Sequence, residues 1–322
     1  MIRLQPNVVK VQHIHVVQHH IMIRYKRMFM LTQYKIKKCK NPFEISLYKF
    51  PYAVVKGEAL SIEAYNKLDQ RHIGDIDILL PRNKLSSIEN ILINADFTTT
   101  AKTRSDRIIM LSNSHQVAPW IKLFPPIGNI EIDINFDLFW GEYTGKRIDV
   151  DVFLSDTLEM DIYGVKVKTL PPLKAMIQLV LHHYKDLNSI FLIATRQTIK
   201  QNMFKDVYYL LKNNLDTITL DKLYATSSEY GIIPYVFYVL YYTGQVFDDE
   251  ILKLYIEAFR TSEGEALLNC YGLCAKEQKE WKYDFKTRLE SDNLYELIKD
   301  DLTEKDREKI ALNKRVFLGV SE

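Results

Sequence analysis

Two stretches of the chain alternate apolar and acidic positions with a period of two, which is typical of a half-buried β-strand. In Arg71–Leu80, Asp75 and Asp77 lie two residues apart within an apolar, β-branched run. In Ile130–Phe136, Asp133 stands in the same kind of alternation. Because successive side chains of a strand point to opposite faces, each stretch is expected to bury an apolar face and to keep its acids together on the other.

The rest of residues 41–168 predicts short strands interrupted by helices. Asn41-Pro42 has the form of a helix start, with Asn as the cap and Pro in the first turn. A strand at Tyr52–Val55 ends at Lys56-Gly57, where a helix to Tyr65 begins. A second helix is expected over residues 83–95, and strands at Arg107–Leu111, Val117–Phe124, Asn129–Phe136 and Arg147–Phe153, with a hairpin around Tyr163-Gly164. Simple alternation of strands and helices is missing, so the pattern predicts an α+β fold with a mixed or antiparallel sheet and flanking helices.

From Pro171-Pro172 onward the pattern changes to the period of amphipathic helices. Apolar stripes occur in residues 173–184 and 203–211, and further helices are expected around 219–230, 233–244, 249–261 and 293–318. No glycine-rich linker separates the two halves. A helical C-terminal domain, residues 169–322, is therefore expected to pack directly on the sheet domain.

Composition adds that the protein is of the soluble globular class, with 47% hydrophobic and 26% charged residues. Its charge is uneven, because residues 1–50 carry ten Lys or Arg against one acid, while the other 272 carry 33 against 40. Residues 1–40 are expected to be a basic, disordered leader, unless translation begins at Met28 or Met30. The mildly acidic body argues against a broad nucleic-acid surface. Three cysteines without zinc spacing and no long apolar run predict a cytoplasmic protein with no membrane span.

The paired acids of the first strand are candidate ligands of hard divalent cations. Two carboxylates on one face can share magnesium ions about 3.5–4 Å apart, which clamp the attacking and leaving oxygens of a phosphoryl transfer. Asp133 can supply a third carboxylate if its strand lies beside the first. A glycine at a strand-to-helix turn lets backbone N–H groups approach a phosphate, so Lys56 and Gly57 are candidate nucleotide-binding residues. The similar pair Asp149 and Asp151 follows no such turn and is interpreted as a solvated strand face.

Together these features resemble the signature of the uncharacterised nucleotidyltransferase family within the polymerase-β-like superfamily. The residues that carry the resemblance are Pro51–Gly57, Tyr65, Arg71–Leu80, the acidic strand Glu131–Phe136, and, in the helical half, Leu181-His-His183 with Lys205-Asp206. The likeness extends over roughly residues 42–245.

The resemblance implies a nucleotidyltransferase domain over residues 41–168 that uses two Mg²⁺ ions. It assigns catalysis and metal binding to the three carboxylates Asp75, Asp77 and Asp133, and Asp133 would take the proton of the nucleophile. It assigns the NTP phosphates to Lys56 and Gly57. The chain departs from the superfamily at this turn, which is commonly Gly-Ser, and at Asn135, where many relatives have histidine.

Some polar residues have two interpretations. Arg71 either contacts a nucleotide phosphate or forms an ion pair that holds the loop before the strand. His182 and His183 are either catalytic or structural, and one of them is expected to pair with Asp206 across two packed helices.

The resemblance favours an enzyme that moves a nucleoside monophosphate from an NTP to a hydroxyl acceptor and releases pyrophosphate. The acceptor is a small molecule, a protein or a tRNA, and nucleic acid is expected only as an acceptor tRNA or through the basic N-terminus. The alternative is a non-catalytic module that keeps the fold and binds a nucleotide or a partner. A nuclease or phosphodiesterase would use the same metals with water as the nucleophile.

Overall fold

The computed structural model describes residues 50–319, apart from 69, 72, 73, 102, 126, 127 and 197. The predicted basic leader and the helix expected to start at Asn41-Pro42 lie outside these residues. The strands are β1 (Ala53–Val55), β2 (Ile76–Leu79), β3 (Thr98–Thr99), β4 (Trp120–Phe124), β5 (Gly128–Asn135), β6 (Leu158–Ile162), β7 (Val165–Thr169), β8 (Cys270–Tyr271) and β9 (Lys279–Glu280).

The helices fall into two groups along the chain. Those of the sheet region are α1 (Gly57–Tyr65), α2 (Leu85–Asn94), α3 (Arg104–Asn113) and α4 (Val150–Phe153). Those of the C-terminal region are α5 (Pro172–Asn188), α6 (Ile190–Thr195), α7 (Asn202–Lys212), α8 (Leu220–Glu229), α9 (Ile233–Val246), α10 (Glu250–Phe259), α11 (Ser262–Leu268), α12 (Phe285–Glu290), α13 (Leu294–Ile298) and α14 (Glu304–Asn313). The α+β fold with a helical C-terminal region is confirmed.

Within the described residues, seven strands form one mixed sheet in the order β3-β4-β5-β2-β1-β7-β6. The central strand β2 pairs antiparallel with β1 and parallel with β5. The outer pairs β3–β4, β4–β5 and β6–β7 are antiparallel, and β7 joins β1 in parallel. The two acidic strands predicted from the sequence are therefore direct neighbours in the sheet.

Apolar side chains cover both faces of the sheet. On one face, Ile78 of β2 and Ile134 of β5 pack in a cluster with Ile88 and Leu92 of α2. On the other, Val55 and Leu79 join a larger cluster formed with the C-terminal helices, to which α5, α7 and α9 contribute residues such as Leu181, Leu210 and Leu240. Because this cluster contains residues from both halves of the chain, the helices pack directly on the sheet, as the missing linker predicted.

Two predicted strands are helical in the structure, and these predictions were wrong. Residues Arg107–Leu111 belong to α3, whose N-cap Thr103 accepts a hydrogen bond from the backbone N–H of Asp106. Residues 150–153 form α4, because the side chain of Asp149 accepts hydrogen bonds from the two backbone N–H groups that open the helix. In both places a capping side chain satisfies the first free N–H groups, and this local signal outweighs the apolar alternation.

The long helix expected over residues 293–318 is divided in the structure. It comprises α13, a 3-10 turn at Lys299–Asp301, α14, and a π-helical turn at Lys314–Leu318. Thr303 and Asp306 form a capping box that starts α14 anew. Across the described ranges, no helix combines the length and hydrophobicity that are needed to cross a bilayer.

Candidate active site

The turn between β1 and α1 has an unusual backbone. Lys56 has φ 56° and ψ −146°, and Gly57 follows with φ 48°. A positive φ is ordinary for glycine but costs a lysine about 1–3 kcal/mol, and such strain persists only where surrounding contacts hold it. In the part of the chain that the structure describes, the contact that holds the side chain of Lys56 is an ion pair with Asp77.

The ammonium group of Lys56 forms an ion pair with Asp77, the carboxylate within β2. Its Nζ is 2.6 Å from Oδ1 of Asp77, and both side chains are largely buried. Burial opposes the charge of Lys56, but the attraction of Asp77 outweighs it and raises the pKa of Lys56. The lysine is therefore a fixed positive charge beside the acidic strand pair.

Register brings the predicted carboxylates together. Asp77 of β2 is the direct partner of Asp133 of β5, and the Cα atoms of such partners are about 4.8 Å apart. Asp75 lies just before β2, on the same face as Asp77. Asn135, two residues beyond Asp133, donates from Nδ2 to Oδ1 of Asp77 over 3.4 Å.

Asp133 has a buried oxygen without a partner. No hydrogen-bond donor in the described part of the chain reaches its Oδ1, which is sealed from solvent. Burial, and then the charges of Asp77 and Asp75, raise the pKa of Asp133 to about 7. A carboxylate oxygen that is desolvated, unpaired and repelled by neighbouring acids is one that a cation would stabilise.

These residues suit a divalent cation but do not close around one. Among the residues that the structure describes, no group of three or more His, Cys, Asp or Glu side chains is arranged to hold a metal ion. One oxygen of Asp77 is occupied by Lys56. The remaining oxygens of Asp77, Asp75 and Asp133 are hard ligands of the kind that Mg²⁺ prefers, and Mg²⁺ commonly completes its shell with water and substrate phosphates.

If a divalent cation binds these carboxylates, the raised pKa of Asp133 makes its affinity depend on pH. Because only the deprotonated carboxylate binds, the affinity for Mn²⁺ is expected to fall about tenfold per pH unit below about pH 7 and to level off above about pH 8. Calorimetry in buffers of different ionisation enthalpy would also detect proton release on binding near pH 6.5. An affinity that does not change between about pH 5.5 and pH 8, or the same pH dependence in Asp133→Asn, would contradict this assignment.

A cluster of positive side chains forms on the helical side, around the buried carboxylate of Asp186 in α5. Arg196 forms a short ion pair with Asp186, while Nε2 of His182 and Nζ of Lys185 each lie 3.2 Å from it. Nζ of Lys185 is also 3.2 Å from Nε2 of His115. Burial pushes the pKa of Asp186 upward, but its basic neighbours outweigh burial and hold it well below its usual value.

Burial has the opposite effect on the bases of this cluster. It lowers the pKa of Lys185, and it lowers the pKa of His182 and His115 well below the usual value for histidine. Both histidines are therefore neutral at pH 7. The fixed positive charge of this wall lies on Arg196, whose pKa is raised by the charge of Asp186. Sequence reasoning did not single out these residues, although the Lys185-Asp186 pair at the end of a helix was visible as a signal.

Arg71 pairs with the helical half of the protein. Its Nε and Nη2 lie 2.9 and 2.7 Å from Oδ2 of Asp206 in α7, and Nη1 donates to the carbonyl of Gly57 over 3.4 Å. Tyr65 donates to the other oxygen of Asp206 over 2.7 Å. These contacts match the interpretation of Arg71 as an ion-pair residue. Arg71 also lines the cleft that the carboxylates face, so a phosphate contact stays a prediction.

The expected pairing of a histidine with Asp206 was wrong. Arg71 and Tyr65 bind Asp206 instead, and His182 contacts Asp186. Both ring nitrogens of His183 are buried with no hydrogen-bond partner in the part of the chain that the structure describes, and burial lowers the pKa of His183 to about 3. His183 is therefore a neutral core residue.

The acids and the basic cluster face one cleft of about 370 Å³. The lining residues with charged side chains are Lys56, Arg71, Asp75, Asp77, Asp133, Glu142, Lys185, Arg196, Glu277, Asp306 and Lys309. Part of the wall comes from α14, where Nζ of Lys309 is 2.5 Å from Glu142 and also bonds Glu277. Trp140 and Phe317 add an apolar surface, so that the cleft offers acidic, basic and aromatic sections.

The mixed sheet therefore sets paired carboxylates beside a glycine-containing helix start, with helices packed over them. A family model described as an uncharacterised nucleotidyltransferase matches residues 44–248, more than half of the chain. The chain therefore belongs to this family, which confirms the resemblance seen in its motifs, and the family implies an NTP as substrate. No protein with a curated description matches the chain. The wall formed by Glu277, Lys309 and Phe317 lies beyond the matched range.

Proposed function

We propose that this protein is a metal-dependent nucleotidyltransferase that moves a nucleoside monophosphate from an NTP to a hydroxyl acceptor. The observation that carries the proposal is the direct pairing of Asp77 with Asp133 in adjacent parallel strands, in a cleft that Lys185 and Arg196 also line. Asp75, Asp77 and Asp133 would hold Mg²⁺, which neutralises phosphate charge and polarises the α-phosphate. The triphosphate would extend from these acids toward the basic wall.

In the proposed reaction the acceptor oxygen attacks the α-phosphorus. A new bond forms between that oxygen and phosphorus, the bond from the α-phosphorus to its bridging oxygen breaks, and pyrophosphate leaves with the electron pair. Asp133 takes the hydroxyl proton, and a pKa of about 7 suits a general base at neutral pH. Lys56, Arg71 and Gly57 at the start of α1 line the same cleft, and they would contact the phosphates of the NTP.

The alternative of a non-catalytic binding module is favoured by one contact. Lys56 neutralises Asp77 without any metal, so the acidic cluster is partly stabilised in a protein that performs no chemistry. Binding alone does not separate the two functions, whereas the fate of the α-phosphate does.

The test incubates the full chain with each α-labelled NTP, Mg²⁺ and a pool of candidate acceptors. Label in an acceptor together with pyrophosphate supports the proposal, whereas free labelled NMP indicates water as the nucleophile and a phosphodiesterase. Calorimetric titration of non-hydrolysable NTP analogues, with and without Mg²⁺, tests the site independently of the acceptor. The enzymatic proposal is contradicted if no NTP binds in a metal-dependent manner. Binding of an NTP without turnover on any acceptor supports the non-catalytic binding module.

A further inference from the structure

Lys56 is a costly residue at its position in the fold. Its φ of 56° and ψ of −146° are tolerated by glycine, and a lysine there adds strain to the start of α1. Its side chain is also largely buried, which is unfavourable for an ammonium group without a partner. The ion pair with Asp77 offsets both the backbone strain and the burial of the ammonium group. The structure therefore holds a positive charge at this point of the site.

That contact uses an oxygen that a second metal ion would need. Two divalent ions about 3.5–4 Å apart share a carboxylate by binding one oxygen each. In this protein Oδ1 of Asp77 is 2.6 Å from Nζ of Lys56 and also accepts from Asn135. Of the Asp77 carboxylate only the second oxygen remains for a metal, together with the oxygens of Asp75 and Asp133, whose Oδ1 has no partner among the described residues.

The charge balance agrees with this count of ligands. Metal ions bind the deprotonated carboxylates, and with all three deprotonated Asp75, Asp77, Asp133 and the ammonium of Lys56 leave two negative charges on this wall of the cleft. One divalent cation neutralises them. A second ion beside Oδ1 of Asp77 would stand next to the ammonium group and be repelled by it.

We propose that this protein binds a single divalent cation between Asp77, Asp133 and Asp75, and that the Lys56 ammonium is the fixed second cation of the site. The proposal rests on the proposed nucleotidyl transfer and replaces the two magnesium ions expected from the family resemblance. Lys56 then supplies, without exchange with solvent, the positive charge that a second ion supplies elsewhere.

The experiment counts metal ions in the wild-type full chain and in Lys56→Met. Native mass spectrometry with an α,β-methylene NTP analogue and Mn²⁺ gives the number of ions per complex, and electron paramagnetic resonance shows whether two Mn²⁺ ions are coupled. We expect one uncoupled ion in the wild type and a coupled pair in Lys56→Met, because the neutral side chain frees Oδ1 of Asp77. Lys253→Met is the matched control, since Lys253 pairs with Asp248 and Glu250 on the surface, and it should keep one ion.

The outcomes separate this proposal from the proposed function. Two coupled ions in the wild type overturn the single-ion site while nucleotidyl transfer stands, and one ion in Lys56→Met shows that Lys56 does not exclude the second. If the wild type binds neither Mn²⁺ nor the analogue, both proposals fail. The number of Mn²⁺ ions bound by the wild type tests the single-ion site even if Lys56→Met does not fold.

Discussion

Replacing Asp77 with asparagine is expected to reduce nucleotidyl transfer about 1,000-fold or more. Asp77 lies between Asp133 and Lys56, so the substitution removes a metal ligand and leaves a buried ammonium without its counter-ion. Steady-state kinetics with the preferred NTP and a saturating acceptor would measure the loss in kcat/KM. Metal-dependent binding of a non-hydrolysable NTP should be lost in parallel.

Asp151→Asn is the matched control for this experiment. Asp151 stands in Ile-Asp-Val-Asp, the same local pattern as Asp77, but it is exposed in the first turn of α4. Its replacement should leave transfer within about twofold, as is usual for surface substitutions away from special features. The catalytic assignment is wrong if Asp77→Asn folds, as judged by circular dichroism, and retains transfer within tenfold of the wild type.

Arg71→Met is expected to lower the free energy of unfolding by about 3 kcal/mol, because it leaves the buried carboxylate of Asp206 with Tyr65 alone. The double variant Arg71→Met, Asp206→Asn should recover part of this loss, since no unpaired buried charge remains. Urea denaturation of the wild type, both single variants and the double variant gives the coupling energy between the two side chains.

The same variants decide between the two interpretations of Arg71. A phosphate contact predicts normal stability with weakened NTP binding in Arg71→Met. A structural ion pair predicts lowered stability with NTP binding that changes little. Arg260→Met serves as the control, because Arg260 pairs with Glu257 and Glu265 at the surface and should cost less than about 1 kcal/mol. A coupling energy near zero between Arg71 and Asp206 would contradict a structural ion pair.

The sequence alone predicted the elements that depend on local periodicity. Alternation placed Asp75 and Asp77 on one face of a strand and gave Asp133 the same setting, and β2 and β5 confirm both strands. The Lys56-Gly57 junction between a strand and a helix was also predicted. Such patterns can be read from sequence because a strand face repeats every two residues, whatever it later packs against.

Where capping competes with periodicity, the sequence was ambiguous. Arg107–Leu111 and Arg147–Phe153 have short apolar runs that suit either a strand or a helix. The caps Thr103 and Asp149 decided in favour of helices, and both are common residue types whose role depends on the backbone that follows. Residues of this kind cannot be assigned as caps until the turn they satisfy is known.

What the sequence determined by itself is the type of site: a family of nucleotidyltransferases, three acids on or directly before two strands, and a glycine turn. The tertiary structure alone decided the partners, because Lys56 meets Asp77 across β1 and β2, and Arg71 meets Asp206, 135 residues away. It also brought Lys185 and Arg196 into the cleft that the acids line. Side-chain patterns fix which groups share a face, but partner choice depends on which elements pack together, and long-range packing is not encoded in any single stretch of the chain.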